Sequence, residues 1–166
     1  MVKWLACIFA LGACATTSFD GRVLRGNGFA ADLGPIPSQW VRTAVPNDDA
    51  VAFRDDAHRG TIAIHGRCGK DADDVPLAAL TGHLFLRFSE PEVHSQAIVP
   101  FDDREAMHTE LAAKLDGVKH TFDAWVLKKD GCVYDLIYFA PPAAFQGGVG
   151  VFRTFVAQFT TRVAPS

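Results

Sequence analysis

The sequence predicts an α/β (α+β) fold, a mainly antiparallel sheet with helices packed on it as a sandwich. Three observations carry this reading. Apolar residues alternate through three segments between Arg104 and Ala140, parted by Asp116-Gly117 and Asp130-Gly131. Asp-Gly is a favoured two-residue hairpin turn because both central positions take positive φ. Near the C-terminus Val149, Phe152, Val156, Phe159 and Val163 recur at spacings of 3, 4, 3 and 4, the period of an amphipathic helix. Length and composition fit one domain, with 166 residues, 49% hydrophobic and 21% charged. A chain of this size buries roughly two thirds of its unfolded surface, so folding requires neither a metal nor a disulfide.

Taken in order, residues 14–28 read as a tether loosened by Gly21, Gly26 and Gly28, and 29–163 as a single globular domain. Phe29 to Trp40 reads as a short strand and an extended turn set by Pro35 and Pro37. Ala50–Arg54 and Thr61–His65 form two strands joined by the polar turn Asp55–Gly60. Asp73 or Asp74 then caps a helix with Pro76 near its first position, and Leu77, Leu80 and Leu84 mark its apolar face to about Phe88. Asp103–Leu115 suits a helix by propensity, but that preference is roughly a few tenths of a kcal/mol per residue. Alternation and the paired Asp-Gly turns favour a three-stranded meander instead. Its register aligns Leu111, Phe122 and Phe139 on one face, with Thr109, Ala124 and Ile137 beside them; Trp125 opposite Leu136 and Leu127 opposite Tyr134 lie on the other. Both faces are partly apolar, so each requires a cover. The Phe-rich helix after Gly147-Gly148, Val149–Val163 with Phe155 beside its stripe, supplies one.

Residues 1–14 read MVKWLACIFALGAC. Lys3 forms a minimal positive n-region and Trp4–Leu11 a short apolar h-region, the layout of a secretory signal too short to span a bilayer. Leu11-Gly12-Ala13-Cys14 resembles the lipobox of bacterial lipoproteins. That resemblance implies a signal peptide of residues 1–13, a cut before Cys14, a diacylglycerol on its sulfur and a fatty acid such as palmitate on its new amino group. Several acyl chains give durable anchoring where one gives marginal binding. Ala15 and Thr16 follow, and the lack of an Asp there implies, by the same resemblance, an outer-membrane lipoprotein facing the periplasm. Ala13-x-Ala15 also suits an ordinary secretory cut, which would give a soluble periplasmic or secreted protein; a buried apolar N-terminal segment is the third reading.

Of the four cysteines, Cys7 leaves with the leader and Cys14 is taken by lipid. An oxidising compartment makes Cys68–Cys132 the leading disulfide. The alternatives are two buried free thiols, or a catalytic Cys68 served by His65. The order of elements, the Asp-Gly hairpins, the Cys132-x-Tyr134-Asp135 strand and the closing Phe-rich helix together resemble the PsbP-like fold. That fold is shared by an extrinsic photosystem subunit, a Ran-binding import factor and DcrB-type lipoproteins. The resemblance implies a fold and carries over no functional residue.

A formal charge of −3 leaves no basic footprint for nucleic acid. No nucleotide, serine-hydrolase or metalloprotease motif stands in a suitable context, and Gly26-Asn27-Gly28 lacks the strand and helix of a phosphate loop. His65-x-x-Cys68 lacks a second pair for a metal, Asp71, Asp73 and Asp74 lack the glycine and distal Glu of a calcium loop, and Asp102, Asp103 and Glu105 read as a polar loop. No catalytic residue, metal ligand or cofactor is assigned. Asp135, on a partly covered face, is the carboxylate whose environment could perturb it. The expected function is a non-enzymatic envelope lipoprotein, anchored to the membrane at Cys14, that binds an envelope protein or a lipid-like ligand. The alternative is a periplasmic enzyme with a site near Asp135, His65 or the Trp125 face.

Overall fold

The computed structural model describes residues 17–45, 50–69 and 75–162. Its elements run β1 (Ser18–Phe19), β2 (Val23–Gly26), β3 (Phe29–Asp32), β4 (Trp40–Thr43), β5 (Ala50–Asp55), β6 (Gly60–Cys68), α1 (Leu77–Leu84), β7 (Ser89–Phe101), β8 (Arg104–Leu115), β9 (Val118–Lys129), β10 (Cys132–Ala140), α2 (Pro142–Val156) and β11 (Thr160–Arg162). Strands β4-β5-β6-β10-β9-β8-β7 form one antiparallel sheet in that order, and β1-β2-β3-β11 a smaller one. Helix α1 covers one face of the large sheet, while α2 and the small sheet cover the other.

The meander turns where the Asp-Gly pairs place it. Asp116, Gly117, Asp130 and Gly131 have φ of 50°, 80°, 53° and 71°, and the chain reverses tightly between β8, β9 and β10. Leu111 pairs with Phe122 and Phe122 with Phe139. Phe122 is 1% exposed, and its ring meets Phe85, Phe88 and Phe139 at centroid distances of 5.4, 5.0 and 5.3 Å. Tertiary pairing therefore overrides the helix propensity of Asp103–Leu115.

Cys68 and Cys132 are direct cross-strand partners on β6 and β10, with Cα atoms 4.0 Å apart and their sulfurs bonded. The bridge lies against the β2–β3 turn, since a Cβ on Gly28 would come within 3.6 Å of the Cys68 sulfur. It thus ties β6 to β10 within the large sheet, where that sheet meets the β2–β3 turn.

Three expectations need correction, and one strand went unread. The stretch expected to be a loose tether carries β1 and β2 from Ser18 to Gly26, with Val23 and Leu24 buried; these two apolar side chains are what the glycines obscured. The Phe-rich helix starts at Pro142 and ends at Val156, so Gly147 and Gly148 lie inside it. A Cβ at Gly148 would fall 2.2 Å from the Tyr138 hydroxyl, and one at Gly147 2.4 Å from the His58 ring. Close helix–sheet approach, rather than a helix start, explains the pair. Phe159 is buried beyond the helix end, where the chain turns into β11; Val163 lies outside the described residues. Pro76 is the N-cap of α1 and no side chain caps it; Asp73 and Asp74 lie outside the described residues. Finally, Ser89–Phe101 is a long edge strand, exposed along most of its length. With neither face buried it has no apolar alternation to read.

Candidate functional site

The β8–β9 register sets His108 opposite Trp125 and Glu110 opposite Asp123. Successive side chains of a strand alternate faces, so these four share the face beneath α2. Arg153, in the last turn of α2, reaches down into them. Asp123 is fully buried. Its Oδ1 accepts from Trp125 Nε1 at 2.7 Å, and its Oδ2 accepts from Arg153 Nε at 2.8 Å. Arg153 Nη2 lies 2.6 Å from the same Oδ2 and donates to Glu110 Oε2 at 2.7 Å. His108 Nε2 stands 3.2 Å from Asp123 Oδ2, and its ring stacks on the indole with centroids 4.1 Å apart.

Burial alone would lower the Arg153 pKa, but the hydrogen bonds and charges of Asp123 and Glu110 outweigh it and hold the pKa above its ordinary value. Beside this cluster lies a hollow of about 400 Å³, bounded by Pro100, Phe101, His108, Trp125, Arg153 and Val156. Asp123 has donors on both oxygens and no solvent access. It is a positioning group that fixes an indole and a guanidinium at the rim of an apolar hollow, and it is not placed to attack a substrate or take its proton.

The opposite face brings Asp135 and His65 together as cross-strand partners. His65 Nδ1 is 3.4 Å from Asp135 Oδ2. Arg67, which sequence reasoning missed, makes an ion pair with that oxygen. Asp135 is 1% exposed, and its Oδ1 has no hydrogen-bond partner among the described residues. A guanidinium seated on the carboxylate makes this a charge-paired structural site. Cys68 is spent in the disulfide, so neither a thiol nucleophile nor an H-x-x-C metal site is formed. Among the described residues no group of three or more His, Cys, Asp or Glu is placed to hold a metal ion.

Asp102 lies in the β7–β8 turn, as the sequence suggests, but it is not merely solvated, whereas Glu105 sits on β8. Asp102 accepts from Thr161 N at 2.9 Å, Thr161 Oγ1 at 2.7 Å and Lys129 Nζ at 3.0 Å, and pins β11 to the β7–β8 turn. Burial pushes its pKa up, but these donors bring it below the ordinary value. Asp103 and Glu105 are exposed. A further pair was missed as well: His58 Nδ1 lies 2.8 Å from Asp55 Oδ2, under α2. Cys7, Cys14, Asp71, Asp73 and Asp74 lie outside the described residues. Among the described residues no helix is long and apolar enough to cross a membrane.

No protein-family model matches the chain, and no curated protein is a significant match. Solved structures do match. Cyanobacterial PsbP from Synechocystis sp. is 14% identical with a TM-score of 0.60, covering 95% of this chain and 99% of that one. A Pseudomonas aeruginosa protein of unknown function is 10% identical with a TM-score of 0.59, covering 78% of this chain and 100% of that one. LpqN of Mycobacterium tuberculosis, involved in cell envelope biogenesis, is 14% identical with a TM-score of 0.54, covering 79% of this chain and 82% of that one. The chain has the PsbP-like fold, among the described residues mainly antiparallel sheets with two helices packed on them. At these identities the likeness speaks of fold alone.

Proposed function

We propose that the protein is a non-enzymatic cell-envelope lipoprotein, anchored through Cys14, whose folded domain binds an envelope protein or a lipid-like ligand. The observation that carries the binding reading is the saturated Asp123. A buried carboxylate with donors on both oxygens orders Trp125 and Arg153 beside an apolar hollow, the make-up of a recognition wall with few polar groups. In the Asp135 cluster the carboxylate is buried and paired with Arg67, which favours a structural role there over the periplasmic-enzyme alternative. The anchor rests on Leu11-Gly12-Ala13-Cys14, and the envelope-biogenesis role of LpqN, a neighbour in fold, supports the compartment. Outer-membrane sorting, facing the periplasm, follows from the absence of Asp after Cys14.

The test is fractionation of the full chain expressed in a Gram-negative host. The wild type is expected in the outer-membrane fraction with incorporated labelled palmitate, and Cys14→Ala in the soluble periplasmic fraction without label. Equal distribution of the two proteins would overturn the anchor.

A further inference from the structure

The geometry points to a binding site for an uncharged fatty-acyl ester in the hollow beside Trp125, with the ester carbonyl accepting from Arg153. This rests on the binding reading above and names the ligand class.

The walls supply the apolar half. Phe101 from β7, Trp125 from β9 and Val156 from α2 meet around about 400 Å³, within the size range of small-molecule sites. The polar half is the guanidinium. Arg153 spends Nε and Nη2 on Asp123 and Glu110. A guanidinium has five N–H donors, and the two on Nη1 meet no acceptor among the described residues. The carboxylates clamp one edge of the group and leave that arm for a ligand seated in the hollow, while 43% of the side chain remains exposed.

Charge decides what the ligand is. Asp123 and Glu110 set two negative charges against one on Arg153, and even a protonated His108 brings the cluster only to neutrality. A free carboxylate or phosphate gains nothing from such a site, whereas an uncharged acceptor does. A peptide is also a poor fit, because each residue brings a donor as well as an acceptor and the hollow offers Nη1 donors only. An acyl ester brings oxygen acceptors, no donor at the ester itself, and an apolar chain for the Phe101–Trp125–Val156 wall. Such an ester can come from a free glycerolipid or from the chain's own Cys14 lipid.

The experiment uses exported full chain carrying Cys14→Ala, titrated with monoolein below its critical aggregation concentration and followed by tryptophan emission. Saturable binding is expected, weakened about tenfold for the glyceryl monoether that lacks only the carbonyl, and weakened further for oleate. Ala157→Phe fills the hollow from an exposed position at the end of α2. It should abolish binding while leaving the unfolding midpoint in place. Loss of the monoolein response when the wild-type lipid is retained would assign the site to the chain's own anchor as ester source. No response from either protein, oleate binding as tightly as monoolein, or unchanged affinity in Ala157→Phe each overturns the proposal. Fractionation reads the anchor separately, so failure at Cys14 and failure at the hollow are distinguishable.

Discussion

Asp123 and Trp125 stand two residues apart on β9 and are joined side chain to side chain, the indole Nε1 donating to the buried carboxylate at 2.7 Å. Strand alternation places both on one face, and the bond fixes the indole in contact with His108 and Phe101. Asp123→Asn keeps an acceptor for Trp125 but turns an amide toward Arg153. Hydrogen bonds to charged groups contribute about 1.5–3 kcal/mol each, so the variant should lose about 2–3 kcal/mol in chemical denaturation and shift its tryptophan emission to the red. Unchanged stability and emission would show that the carboxylate organises nothing.

Phe122→Ala should destabilise by roughly 3–5 kcal/mol, the usual cost of truncating a buried aromatic. The ring is 1% exposed among Phe85, Phe88, Leu111 and Phe139, which leaves a cavity that α1 cannot close. Guanidinium unfolding measures it, and a loss below about 1 kcal/mol would contradict the packing of α1 on this row.

Much of this arrangement can be read from the residues themselves. The turn at Asp116-Gly117 sets the β8–β9 register, and that register alone puts Glu110 beside Asp123 and His108 beside Trp125. What the sequence does not reveal is Arg153, because its arrival over the strands depends on how α2 docks, and no periodicity encodes a docking angle. The same holds for Arg67: strand alternation places it on the face of His65, but the contact with Asp135 needs the β6–β10 register, which joins strands distant in sequence. Gly147-Gly148 misleads for a related reason, since a glycine needed for close approach to Tyr138 and His58 looks like a helix boundary when the partner is unseen.

The protein's two tyrosines make its alkaline behaviour easy to follow. Burial, with the charges of Asp130 and Asp102 behind it, pushes Tyr134 up to about 12 from 10.0, and burial with the charge of Asp55 does the same for Tyr138. A raised folded pKa contributes stability that is present in full below the unfolded value and is lost as pH rises toward the folded one. Native protein should therefore show little tyrosinate absorbance at pH 11, and stability should fall between about pH 10 and 12. Free ionisation near pH 10 would mean that the two hydroxyls are not enclosed.

Acid acts through the small sheet. The Arg22 hydrogen bond, against opposing burial and aided by Gly34 N and Arg162, lowers Asp32 from 3.8 to about 2. A depressed carboxylate pKa contributes stability that is present above the unfolded value and is lost as pH falls through the folded one. The slope of stability between about pH 4 and 2 should be shallower in Asp32→Asn than in the wild type, as read by urea unfolding at each pH. Identical slopes would remove Asp32 as the acid-sensitive joint of β3, β2 and β11.

The central functional claim is that the domain is held at the membrane by lipid on Cys14, and the intact mass of the detergent-extracted mature protein tests it most directly. A chain that begins at Cys14 and carries a diacylglyceryl group with an additional amide-linked fatty acid is expected. A mature protein with a free, unmodified N-terminus at Thr16, or one that retains residues 1–13, would contradict it.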